Sequence, residues 1–369
     1  MTAQLFTPVQ IGNRTLSNRI TVAPMCQYSA INGSMTDWHL MHLGSLAVSG
    51  ASMLVMEMTA VTPSGHITPH CVGLYSDDNE AAMQRVVEFV RSISPIVLGV
   101  QLAHAGRKAS AHRPWSGEGF LQPDEGAWQT EAPSAVPLAP GWPAPHAMTR
   151  TDMQQLTQAF VRAAQRAARI GLDFIEIHST HGYLLSEFLS PLSNKRSDEY
   201  GGSLENRMRF PLEVFRAVRA AFPAERAVGA KISGTDFVDG AWMPDDAVAY
   251  ARALKAEGCA YATVSGGGVV LDAKVPVGPG YQVPFAERVK KEAGITTGAV
   301  GMITDPQQAE AIIASGQADF ISLARAMLFN PRWPQHAAVS LGVEAAYVPQ
   351  YERAAPKVWR PGRTLGKVE

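Results

Sequence analysis

Short apolar runs rich in β-branched residues alternate with longer amphipathic stretches along this chain, and the alternation repeats eight times. The runs cover residues 19–25, 52–59, 96–102, 173–178, 227–233, 261–265, 296–301 and 320–323. They are close to continuously apolar, as expected of parallel strands covered on both sides. The gaps carry helical periodicity. Residues 151–170 are rich in Ala, Gln and Arg with apolar positions at helical spacing. Residues 306–314 follow Asp305, a good N-cap with proline in the first helical position, and residues 245–256 follow Pro244 in a similar way. Eight β-then-α units favour a closed (β/α)8 TIM barrel, an α/β fold, over a doubly wound sheet.

Two stretches depart from a plain barrel. Residues 5–16, with Gly12-Asn13 at their centre, read as a hairpin closing the barrel bottom. Residues 104–150 hold seven prolines and the tryptophans Trp115, Trp128 and Trp142 between the third strand and its helix. A loop insertion after strand 3 rises over the C-terminal face, where long functional loops belong. No G-x-G-x-x-G follows any strand, so no Rossmann unit is indicated. The expected organisation is one barrel domain over 1–369, with 340–369 a C-terminal arm.

Composition narrows the function classes. A net charge of −1 suggests neither nucleic acid nor an anionic membrane as partner. No apolar stretch approaches the roughly 20 residues needed to span a bilayer. The first residues lack the pattern of a signal peptide. Cys26, Cys71 and Cys259 form neither a disulfide framework nor a C-x-x-C metal site. A cytoplasmic, reduced setting is the default expectation.

Chemistry in this fold sits just past the strand ends. The first strand leads into Ala23-Pro24-Met25-Cys26-Gln27-Tyr28, which can line a planar cofactor or simply fill core. The second ends at Thr59-Ala60; the third offers Gln101 for a heterocycle edge, then His104. The fourth is the most informative, with His178-Ser179-Thr180-His181-Gly182-Tyr183 able to aim two imidazoles and a phenol at one small volume. An H-x-x-H pair without a third ligand at a recognisable spacing is a poor metal site, so none is expected. Lys231 needs an anionic or electron-rich partner to offset desolvation; the plainer reading is a structural ion pair, with Glu176 as a partner. Gly301-Met302 and Ala324-Arg325 follow the last two strands, the usual phosphate position of the barrel. Arg325 alone is equally well a surface salt bridge, but with Gly301 the phosphate reading prevails.

These residues closely resemble the Old Yellow Enzyme family, particularly its bacterial thermophilic-like branch, in a match that spans nearly the whole chain. The segments that carry it are LFTPVQIGNRTLSNRITVAPMCQYS, HGYLLSEFLSPLSNKRSDEYGGSLENRMRF, GAVGMI and SLARAMLFNPRWP, with QYER near the C-terminus. The resemblance implies an NAD(P)H-dependent ene-reductase that holds FMN without a covalent bond and takes activated alkenes. Implied flavin contacts are Pro24, Met25, Cys26, Ala60, Gln101, Lys231, Gly301, Ala324 and Arg325. His178 and His181 match the pair that binds the substrate's carbonyl or nitro oxygen, Tyr183 the proton donor, and Tyr28 a substrate contact. Cys26 matches a residue that tunes the flavin. Arg353 matches an arginine reaching a neighbouring subunit's active site, which implies a homodimer or homotetramer. Two departures are visible. Lys231 stands where relatives usually carry Arg, so the planar fork is lost. Ser186-Glu187 replaces a commoner His-Gln, which puts local packing in doubt.

Three rival readings stand beside this one. A larger dienoyl-CoA-reductase-like enzyme would need a cysteine cluster and further nucleotide domains after the barrel. A non-flavin aldolase or isomerase would use Lys231 and the phosphate site and be colourless. A flavin-binding scaffold would lack turnover, against which His178, His181 and Tyr183 argue.

Overall fold

The computed structural model describes residues 3–363. The last six residues of the expected C-terminal arm fall outside that range. After a 3-10 turn at Gln4–Phe6, β1 (Val9–Ile11) and β2 (Arg14–Leu16) form the expected hairpin. Then come β3 (Ile20–Val22), α1 (Asp37–Ala47), β4 (Met53–Ala60), the two-residue β5 (Val72–Gly73), α2 (Asp77–Ile93) and β6 (Val97–Ala103). The insertion contains the paired two-residue strands β7 (Glu131–Ala132) and β8 (His146–Ala147). It leads to α3 (Arg150–Arg169), β9 (Phe174–Ser179), α4 (Leu184–Leu189), α5 (Leu204–Ala221), β10 (Ala227–Ser233) and α6 (Pro244–Ala256). The rest is β11 (Ala262–Ser265), α7 (Val283–Ala293), β12 (Thr297–Ala299), α8 (Pro306–Ala314), β13 (Phe320–Leu323), α9 (Arg325–Phe329) and α10 (Trp333–Ser340).

Strands β3, β4, β6 and β9 to β13 pair in parallel, and β13 returns to β3, which also pairs with β4; the barrel is closed. All eight strands lie where the sequence pattern places them. Helices α2, α3, α5 and α8 start at side-chain caps; Thr149 and Asp305, for example, accept the backbone N–H groups of Asp152 and Gln308. No helix among the described residues is long and apolar enough to cross a membrane.

The two faces of each strand differ in chemistry. Outward residues such as Ile175, Ile177, Val228, Ile232 and Val264 join the main apolar core against the helices. Inside, the bottom is sealed by hairpin residues Val9, Ile11 and Leu16 packed on Met53, Val55, Phe174, Tyr261 and Phe320. Above them the interior turns polar: Glu176 accepts hydrogen bonds from Gln101 at 2.8 Å and from Thr263 at 3.1 Å. His178 and Lys231 come next, side by side in the β9–β10 register. The strands are therefore not apolar throughout; their upper inward positions are given to the site.

The insertion is held by its aromatic residues. Trp128 donates to the Ser64 carbonyl at 3.0 Å, Trp142 lies 5.4 Å from Phe120, and Trp115 meets Tyr28 edge-on at 5.8 Å. The buried imidazole of His104, 3.0 Å from Glu131 Oε2, clasps the insertion to the end of β6.

Candidate active site

The chain leaving β9 turns sharply. His181 and Gly182 both have left-handed backbones, at φ 63° and 70°, a conformation costly for a residue with a side chain. A methyl group on Gly182 would sit 2.0 Å from the Gly268 carbonyl oxygen, so two loops cross here in backbone contact. This turn gathers three rings: His178 lies 5.2 Å from His181 and 4.9 Å from Tyr183, both edge-on. The Thr180 amide donates to His178 Nδ1 at 3.3 Å, which assigns the ring hydrogen to Nε2. His181 Nε2 is 2.8 Å from the Ser265 hydroxyl.

Burial holds both imidazoles well below their ordinary range; the charges of Lys231 and Lys108 act in the same direction, as does His181 on His178. Both rings are neutral at physiological pH and donate one hydrogen each. Burial likewise pushes the Tyr183 phenol well above its usual value, so it keeps its proton.

Beside these rings opens a cavity of about 620 Å³ lined by Pro24, His181, Lys231, Ser265, Gln282, Gly301, Met302, Ala324 and Arg325. Lys231 is buried, and neither it nor Arg325 forms an ion pair among the described residues. The expected partner Glu176 influences Lys231 electrostatically, while its carboxylate is occupied by Gln101 and Thr263. The two cations are thus left to the cavity. Gly301 is left-handed at φ 111°, and a side chain there would press on Gln282 at 3.1 Å. Gln282 Oε1 is a buried acceptor without a protein partner. A cavity with two uncommitted cations, a glycine wall and a spare acceptor fits an anionic, polar heterocycle such as FMN.

Cys26, Tyr28 and Tyr183 pack on one apolar cluster with Met58, Ile67 and Cys71. Burial raises the Cys26 thiol well above its ordinary value, with Cys71 and Glu57 adding to the effect; it is a thiol, not a thiolate. The Cys26–Tyr28 segment is held from behind. A bulge in β4 at Glu57 turns that carboxylate outward to accept the Gln27 amide at 3.0 Å. His39 on α1 stands 3.3 Å from its other oxygen, out of line for a hydrogen bond.

The sequence reading missed Arg107, Lys108 and the role of Glu187. Arg107 donates to the carbonyls of Val136, Pro137 and Val269, tying the insertion to the loop after β11. Lys108 donates to the His181 and Gly268 carbonyls at 2.8 and 3.1 Å. Glu187 is fully buried on α4; one oxygen accepts the Arg107 amide at 2.9 Å and the other has no partner. Burial lifts its carboxyl to about 8, the neighbouring cations pulling the other way. Ser186-Glu187 therefore touches more than local packing. The available signal was the Arg-Lys pair directly after Ala105-Gly106 at the mouth of a strand, where two adjacent cations need acceptors.

The structure brings Pro24, His181, Lys231, Gly301, Ala324 and Arg325 around one cavity. His178 and Tyr183 stand against His181, and Cys26 and Tyr28 against Tyr183's apolar neighbours. Met25 lies on the other side of its loop, near Glu57 and α1. Ala60 ends β4 beside Ala103, and Gln101 is committed to Glu176. Arg353 is exposed on the 3-10 segment Pro349–Ala354 and does not line this cavity.

Comparison with known proteins agrees with this geometry. Residues 4–344 match the model of the NADH:flavin oxidoreductase / NADH oxidase family. The chain is 42% identical over 362 residues to an NADPH dehydrogenase of Geobacillus thermodenitrificans, covering 98% of this chain and all of that one. An NADPH dehydrogenase of Bacillus cytotoxicus is 40% identical, with 97% and 99% covered. Among solved structures, morphinone reductase superposes with a TM-score of 0.77 at 28% identity, covering 94% of this chain and 91% of that one. The chain belongs to the NADH:flavin oxidoreductase / NADH oxidase family and is an oxidoreductase of the Old Yellow Enzyme type.

Proposed function

We propose that this chain is an FMN-dependent ene-reductase that uses NAD(P)H to reduce the C=C bond of α,β-unsaturated carbonyl and nitro compounds. The observation that carries the reading is the meeting of two neutral imidazoles and a protonated phenol beside a cavity with an unpaired buried lysine. The names of the relatives, NADPH dehydrogenase and morphinone reductase, support the same class. Lys231 and Arg325 supply the positive charge that FMN requires, and Gly301, Ala324 and Pro24 its close backbone walls; no covalent link is needed.

Bound FMN supplies the hydride chemistry, taking hydride from NAD(P)H and giving it to the alkene's β-carbon. The protein's own part is to hold and polarise the alkene. His178 donates from Nε2. With the Ser265 hydroxyl donating to its Nε2, His181 donates from Nδ1. Both hydrogens meet the substrate's carbonyl or nitro oxygen and stabilise charge arriving there. Neutrality matters, because a neutral ring offers its hydrogen without losing the proton to the product. Tyr183 delivers its phenolic proton to the α-carbon. Tyr28 bounds the substrate space, and Cys26 adjusts the polarity around the cofactor as an uncharged thiol.

The purified protein should be yellow and release free FMN on acid denaturation; a colourless protein that does not take up FMN would end the proposal. Rapid mixing of Tyr183→Phe separates the steps. Cofactor reduction by NADPH should stay near the wild-type rate while reduction of cyclohexenone slows ~10²–10⁴-fold, the range of general acid catalysis. A nitroalkene, whose product anion is stable without protonation, should be less affected. Equal slowing of both steps would remove Tyr183 as proton donor.

A further inference from the structure

Two adjacent cations follow β6, and the second touches the machinery without lining the cavity. Lys108 leaves the 3-10 turn Gly106–Lys108 with its ammonium in the gap between two loops. One loop carries His181 and Tyr183, and the other begins one residue after Ser265. Two of its three hydrogens are used on the carbonyls of His181 and Gly268, at 2.8 and 3.1 Å. Its nitrogen also stands 5.2 Å from the centre of the Tyr183 ring, a favourable place for a cation against an aromatic face. The backbone it grips is the left-handed one, at His181 with φ 63° and Gly268 with φ 89°.

We propose that Lys108 is a positioning residue for alkene reduction, acting through the turn at His181–Tyr183. It fixes that turn against the loop bearing Ser265 and so holds two imidazoles and a phenol in a single arrangement. This rests on the roles given above to His178, His181 and Tyr183. The two carbonyls explain why a cation is needed: both point into one gap, and only a donor with several hydrogens satisfies them together. The Tyr183 contact explains why the charge matters, since a cation on the ring face eases departure of the phenolic proton. The same charge lies close enough to His178 and His181 to help keep them neutral. The other groups facing it are Arg107 beside it in the chain and Glu187 on α4.

The test uses the holoenzyme with Lys108→Met, Lys108→Arg and Tyr183→Phe side by side. Lys108→Met should keep its FMN and reduce it with NADPH at close to the wild-type rate. Cyclohexenone reduction should slow about tenfold or more, as expected when reacting groups drift by a fraction of an ångström. Lys108→Arg, which can span both carbonyls, should recover much of that loss. A second readout is independent of turnover: ¹⁵N NMR of the imidazoles, assigned with His178→Ala and His181→Ala. In Lys108→Met the His181 ring should begin to take up a proton at higher pH than in the wild type, which a purely structural staple would not cause. Should Lys108→Met not fold, Lys108→Gln keeps donors for the two carbonyls and removes only the charge, so it carries the imidazole readout, and an unchanged His181 titration there would overturn the part given to the charge. An unchanged enone rate with an unchanged imidazole titration would overturn the proposal. If Tyr183→Phe reduces enones normally while Lys108→Met does not, the phenol's role fails and the positioning role stands. Slow Tyr183→Phe with normal Lys108→Met removes Lys108 alone.

Discussion

Replacing Glu187 with glutamine should make the protein more stable, and increasingly so as pH rises from about 5 to about 8. Glu187 is wholly inside the protein with one oxygen unpartnered. Burial, opposed by Arg107 and Lys108, moves its carboxyl from 4.5 to about 8. Below 4.5 the acid is protonated in both the folded and unfolded chain, and its ionisation contributes nothing. Between 4.5 and 8 the unfolded chain has released the proton and the folded one retains it, so stability falls with rising pH. Above 8 the loss levels off. At 1.36 kcal/mol per unit, the accumulated cost near neutrality is about 3 kcal/mol. The amide keeps an acceptor for the Arg107 N–H and is neutral at every pH, so Glu187→Gln escapes this cost. For a chain of this length, unfolding entropy is about 0.8 kcal/mol per degree, and the gain corresponds to a midpoint about 4 °C higher. Thermal unfolding of both proteins with saturating FMN, across that pH range, measures it. A difference between the two proteins that does not change with pH would show that Glu187 is charged in the folded state and that the reasoning is wrong.

Two further outcomes are expected. Cys26→Ala should shift the reduction potential of bound FMN and alter the balance of the two half-reactions, because an uncharged thiol next to the site changes polarity without reacting; total loss of turnover with FMN retained would refute a tuning role. Arg353→Ala should weaken substrate or nicotinamide binding more than FMN binding, since Arg353 is exposed away from its own cavity and is proposed to serve a neighbouring copy; full activity in a dilute monomer would contradict it.

The barrel was legible because each strand is a short apolar run and several of the following helices declare their start, as Thr149 and Asp305 do for α3 and α8. Strand ends were less so. Thr297–Ala299 stops two residues before Gly301, and Ile20–Val22 three before Met25, because the loops leaving the barrel stay apolar while no longer pairing. In β10 the ends agree: the run read at 227–233 is the observed strand Ala227–Ser233, with Lys231 inside it. The cluster at 178–183 could be read since its members are six consecutive residues. Lys108 could not, because its acceptors are backbone carbonyls 73 and 160 positions away. Carbonyls have no sequence signature. Glu57 was hidden for another reason: only the bulge in β4 turns its carboxylate to the Gln27 amide.

The crossing of Gly182 over Gly268 bears on how this enzyme can be redesigned. With no room for a side chain at either position, the loop after β11 works as two parts with different tolerances. Residues 266–268 are a hinge pin, and lengthening them would lever the histidine turn out of place. From Leu271 to Val277 the same loop is open to solvent at both named ends, and Val277 borders the cavity. Insertions and randomised libraries belong in that outer stretch, where the entrance can be reshaped for bulkier substrates while the turn at His181–Tyr183 stays anchored.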